Sequence, residues 1–161
     1  MYKRSRIPVA FTIFTIAILL FIGFLLEFFV IPINAQSLQA KYVEYEGDAP
    51  AIIAILIGLV FFGQVTLVSI AVLLRRIDHG TLLSRPSLRL VSILMYALWC
   101  LGATFVTLLV WLIFQNTLPP TVHLGIWVGI LLASTCALVV KTLRAVLHEA
   151  IDHKTELESV I

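Results

Sequence analysis

The sequence predicts an all-α integral membrane protein: a bundle of four transmembrane helices with both termini cytoplasmic and an amphipathic C-terminal helical extension. Three observations carry that prediction. Of 161 residues, 61% are hydrophobic and only 12% charged, where a soluble domain runs near half and a quarter. Four windows are apolar over the ~20 residues of helix needed to cross a ~30 Å hydrocarbon core. The basic residues fall almost entirely on alternate connections. With a mean hydropathy of +1.08, this composition excludes a soluble enzyme, a disordered chain and a disulfide-stapled secreted module. The length holds one domain, residues 1–161, with no room for a separate soluble catalytic unit.

The spans run over about 7–30, 51–74, 90–114 and 122–140, leaving a tail over 141–161. The first is preceded by Lys3, Arg4 and Arg6, as a signal peptide would be. A signal core is only 7–15 residues long, however, and Ile33-Asn34-Ala35 is a poor cleavage site, so an uncleaved anchor is expected. The first connection carries Lys41, Glu44, Glu46 and Asp48, with Tyr42 and Tyr45 suited to headgroup contact. The last, from Gln115 to Thr121, is short enough to force an antiparallel hairpin, turned by Pro119-Pro120. Trp111 and Trp127 fall near the outer ends of their spans, where amphipathic rings favour the interface.

Lys and Arg orient the chain. The N-terminus (Lys3, Arg4, Arg6), the second connection (Arg75, Arg76, Arg85, Arg89) and the tail (Lys141, Arg144, Lys154) hold all of them but Lys41. By the positive-inside rule this places both termini and the second connection in the cytoplasm, in a cell (inner or plasma) membrane.

Polar residues within the spans are functional candidates by default. Glu27 is the only acid in an apolar run. Counting ~30 Å of helix from Arg6 puts it at the outer interface as a wet carboxylate. A proton or cation site, of the kind small four-span drug exporters build on a first-helix glutamate at mid-bilayer, would need it deeper. Gln64 sits mid-span, and a cross-helix hydrogen bond is its expected role. Ser92, Tyr96, Cys100, Thr104 and Thr107 form a weakly polar stripe expected to face the bundle interior. Gly125, Gly129, Ala133 and Ala137 recur every four residues as a ridge of small side chains that permits close helix approach. Packing within the chain and a homo-oligomer seam are the two uses open to that ridge.

No cofactor or metal site is expected. Cys100 and Cys136 lie inside apolar runs as small buried hydrophobes, not as a disulfide framework. His148 and His153 are five apart and fall on different helix faces, while His79 and His123 stand alone. No phosphate loop, nucleophile motif or enclosed carboxylate pair supports an intramembrane enzyme.

The chemically rich surface is the inner one. The second span should continue through Arg75-Arg76-Ile77 and stop at Gly80, with Ser84 as N-cap of the third helix and Pro86 in its first turn. Arg75, Arg76, Arg85 and Arg89 serve most simply as topology determinants and anionic-lipid contacts. In the tail, Leu143, Leu147, Ala150, Leu157 and Ile161 read as an apolar stripe, with Lys154 filling a gap. Glu149, Asp152, Glu156 and Glu158 make its end acidic, which disfavours lying on an anionic membrane. The tail therefore either docks on the basic loop or holds a partner, through Arg144, Leu147 and the loop arginines.

The loop Gly80-Thr81-Leu82-Leu83-Ser84-Arg85-Pro86-Ser87-Leu88-Arg89, the basic N-terminal cluster and the acidic C-terminal helix ending in Val160-Ile161 resemble the bacterial family catalogued as "domain of unknown function 2975". The likeness spans nearly the whole chain, although members often carry an aromatic where Leu83 stands. The resemblance implies a bacterial inner-membrane protein without assigned catalysis. Because members are often encoded beside a small helix-turn-helix regulator, it also implies a regulatory pairing. The expected function is thus a non-enzymatic membrane sensor or anchor for a cytoplasmic protein partner, with no direct nucleic-acid contact. The alternative is a small transporter or an accessory subunit of a membrane transport complex.

Overall fold

The computed structural model describes residues 6–34, 49–114 and 120–159, and the described residues are almost wholly helical. Helix α1 spans Arg6–Leu25 and passes through a π-helical turn, Leu26–Val30, before continuing to Asn34. Helices α2 (Ala49–Asp78), α3 (Arg85–Phe114) and α4 (Pro120–Ser159) follow. All four are long and apolar enough to cross a membrane. The prolines explain several of the boundaries. Pro50, Pro86 and Pro120 each occupy one of the first two positions of a helix, where the missing N–H costs nothing.

Pro32 explains the π-turn. Inside a regular helix its ring would collide with the carbonyl four residues back. The turn just before it is widened, with the Ile31 N–H donating to the Leu26 carbonyl. Backbone angles on both flanks stay right-handed, so the helix continues rather than breaks. The first helix consequently continues through Pro32 to Asn34, and Glu27 rides on the widened turn.

The helices pack in chain order: α1 on α2, α2 on α3, α3 on α4. Helix α3 is central and holds half of the buried residues. Three apolar clusters run along its seam with α4. Leu108, Leu109 and Ile126 form the one farthest from the basic end, Leu94, Leu98 and Ala137 the middle one, and Val91, Leu147 and Ile151 the one at the basic end. Helix α1 lies at the edge and turns Phe11, Phe14, Phe21, Phe24, Phe28 and Phe29 outward. In water such a face would drive aggregation; beside acyl chains it is the ordinary solvated surface.

Three expectations are corrected. Cys100 and Cys136 are exposed on the helix surfaces rather than buried. The third-span stripe is split between faces: Tyr96 is 64% exposed and Cys100 and Thr107 are exposed, whereas Ser92 is half-buried and half-buried Thr104 meets Gly58 of α2, whose β-carbon position lies 3.8 Å from its Cγ2. Hydroxyls on either face are tolerated because Ser92, Thr104 and Thr107 each donate to a carbonyl one turn back, at 2.9, 2.8 and 3.0 Å. Of the ridge, Gly129, Ala133 and Ala137 face α3, but Gly125 does not; a β-carbon there would meet nothing within 4 Å. Ile126, one position on, takes the buried place that the four-residue spacing assigned to Gly125.

Candidate functional site

At the basic end, α2 and α3 are joined by a loop that the sequence specifies in detail. Gly80 adopts φ 68°, in the left-handed region that only glycine enters without strain. Around it the Gly80 N–H donates to the Ile77 carbonyl at 3.1 Å and the Thr81 N–H to the Arg76 carbonyl at 2.9 Å. This is the double bond pattern of a Schellman cap, which satisfies the last carbonyls of α2. Ser84 sits immediately before α3, as expected of an N-cap. Its hydroxyl, however, donates to the Thr81 carbonyl at 2.8 Å instead of accepting from the first turn. Ser87 explains the difference: fully buried, it shares a 3.0 Å hydrogen bond with Ser84 and also reaches the Thr81 carbonyl at 3.3 Å. The two serines tie the loop to the first turn of α3, making the hairpin a fixed platform.

That platform carries Arg75, Arg85 and Arg89 as exposed side chains, with Arg76 half-buried. Lys141 and Arg144 on α4 are exposed too. Among the described residues the ion pairs are His148–Asp152 at 2.9 Å and His153–Glu149 at 3.9 Å, so no arginine is paired with a carboxylate. Asp152 and Glu149 are engaged along their own helix, one turn apart, rather than with the loop.

The tail docks through its apolar side. Leu147 and Ile151, each 7% exposed, pack with Val91, and Leu73, Leu82, Leu88 and Val140 close around them. The sequence-read stripe was therefore drawn partly off axis. Leu143 is 53% exposed, and Leu147, offered as a contact for a partner, is used up inside the protein. The true stripe continues the α3-facing ridge through Ala137, Val140, Leu147 and Ile151, interrupted by Arg144. Its spacing was legible; the eye is drawn instead to the leucines. The side chains of Lys154, Glu156, Leu157, Glu158 and Ile161 lie outside the described residues, as do the Lys41 connection, its tyrosines and the Gln115–Pro119 turn.

Within the spans, Gln64 is 8% exposed and packs on Gly23 of α1, whose β-carbon would stand 2.8 Å from Gln64 Nε2. The expected cross-helix hydrogen bond is not made, because glycine offers no side-chain acceptor: Nε2 is buried without a partner. Glu27, half-buried on the π-turn, has a second such atom, Oε1.

Over residues 5–161 the sequence matches the family described as "Protein of unknown function (DUF2975)". No curated protein and no solved structure matches it.

Proposed function

The chain belongs to the DUF2975 family, whose function is unassigned, and from that premise we propose that it is a non-enzymatic membrane protein, a sensor or anchor that holds a soluble cytoplasmic regulator on its basic end. The observation that carries this reading is the set Arg75, Arg76, Arg85, Arg89 and Arg144, clustered at one end of the helices with no carboxylate partner among the described residues. The ten-to-one division of Lys and Arg between alternate connections supports a cytoplasmic location for that end. Anionic lipid is the competing occupant. Against it stands the mixed charge of the surface: exposed Glu149 and Asp152 would be driven toward the same headgroups that attract the arginines. A soluble partner of mixed charge, with acids to meet the arginines and bases to meet Glu149 and Asp152, fits both signs.

Because Leu147 and Ile151 are consumed by packing, recognition rests on charge and on the fixed loop geometry, not on a helix laid into a groove. Affinity capture of the full-length protein from mild detergent tests this. Partners retained by the native protein should be lost by Arg85→Glu/Arg89→Glu, and more at low salt than at high, since exposed charges are screened over ~10 Å at 0.1 M. Equal recovery by the charge-reversed protein sinks the proposal. A second reading, a small transporter or accessory subunit, draws its support from Glu27, the one acid in an apolar run, which has a carboxylate oxygen buried without a hydrogen-bond partner among the described residues.

A further inference from the structure

Among the described residues two buried polar side-chain atoms have no hydrogen-bond partner, the acceptor Glu27 Oε1 on the π-turn of α1 and the donor Gln64 Nε2 on α2. Their depth follows from the helices themselves. Gln64 is the midpoint of the span Pro50–Asp78, and Gly23 lies against it. Glu27 is one turn beyond Gly23, ~6 Å at 1.5 Å per residue, well inside the ~15 Å half-thickness of the hydrocarbon core. Gln64 Nε2 stands 2.8 Å from the β-carbon position of Gly23, and successive turns on one helix face are ~6 Å apart. Glu27, four residues on from Gly23, therefore falls on the α1 face that meets Gln64, one turn farther along.

We propose that Glu27 and Gln64 form a binding site inside the bilayer for an amphiphile with a primary ammonium head and an apolar tail. The charge decides the head. An isolated carboxylate costs far more to bury than an unpaired amide. The nearest basic side chain described on either helix, Arg75, is eleven residues from Gln64, ~16 Å along α2. An ammonium supplies the missing charge, and its additional N–H groups reach the glutamine, whose amide presents its carbonyl after a half-turn. The groove decides the tail. A cavity of about 400 Å³ runs beside Gln64 between Leu19, Ile22 and Leu26 of α1, Val60 and Leu67 of α2, and Leu101 of α3. Its α1 wall ends at Leu26, next to Glu27. The π-turn gives the site its shape, as widened turns in helices often do at functional positions.

This site is independent of the docking surface at the basic end, and its test leaves that surface untouched. The full-length protein in nanodiscs of neutral lipid is irradiated with a diazirine-bearing alkyl primary amine, and adducts are mapped by mass spectrometry. Labelling should fall on 19–26 and 60–67 and be competed by dodecylamine, which is protonated at neutral pH. Dodecanol and dodecyltrimethylammonium should compete about tenfold less well, the loss of one charge-assisted hydrogen bond. Glu27→Gln should reduce labelling by a similar factor, while Glu27→Asp keeps most of it. Competition on the native protein needs no variant to fold. If dodecanol competes as well as dodecylamine, or Glu27→Gln labels like the native chain, the ammonium site is excluded.

Discussion

The ring of Phe105 on α3 lies against the backbone of Gly129 on α4, so closely that a β-carbon at Gly129 would stand 2.8 Å from its Cε1 and Cζ. Beside it, Gly102 of α3 faces Ala133, with a β-carbon position 3.7 Å from the alanine methyl. Small residues on both helices thus alternate with one large ring, and close approach of this kind is what drives helix association in lipid.

Gly129→Ala should therefore lower the melting temperature in detergent, since overpacking a well-filled seam costs ~1–3 kcal/mol. Gly125→Ala should leave it unchanged or raise it, because nothing lies within 4 Å of the added methyl and alanine is the better helix former by ~1 kcal/mol. Adding Phe105→Leu to Gly129→Ala should recover part of the loss. Equal melting of the Gly125 and Gly129 variants would overturn the seam.

Gly80 tests a different cause. A β-carbon there also meets nothing within 4 Å, but the φ of 68° remains unfavourable for any other residue. Gly80→Ala should destabilise by about 1 kcal/mol through the backbone alone. Measured beside Gly125→Ala, it separates strain from crowding: the two changes are sterically free and should differ in sign.

The docked tail makes a third expectation. Leu147→Ala and Ile151→Ala should each cost about 2 kcal/mol or more and speed amide hydrogen exchange through 147–153. Leu143→Ala, at a 53% exposed position, should do neither. Matching exchange in all three variants would mean that the tail is not held by that cluster.

Orientation is checked with single cysteines at Ser37 and Ser84, in a background where Cys100 and Cys136 are replaced by alanine. An impermeant thiol reagent should label Ser37→Cys on intact cells and Ser84→Cys only after permeabilisation. The reverse pattern would invert the topology.

Much of this architecture was legible because lipid imposes a simple length and polarity code: four apolar runs, turns at Gly80 and Ser84, and a helical tail. What escaped depends on facing partners. Periodicity placed Gly125 on the ridge with Gly129, and only the position of Phe105 and Ile126 separates them. The stripe on α3 faces inward only in part, because its hydroxyls satisfy themselves on the carbonyls one turn back and their polarity carries no information about direction. Ile151 was overlooked beside the leucines of the tail. The π-turn before Pro32, which carries Glu27 and lets the first helix continue to Asn34, leaves no mark in composition or hydropathy.

The central claim, that the basic end holds a soluble partner, is tested most directly inside living cells. A photocrosslinking amino acid is placed at Arg89, on the basic end, or at Phe114, the 84% exposed last residue of α3 at the opposite end. The account predicts one discrete adduct with a soluble protein from position 89, none from position 114, and loss of the first when Arg85 is reversed to Glu. Adducts confined to lipid at position 89, or the same protein adduct from both positions, would contradict it.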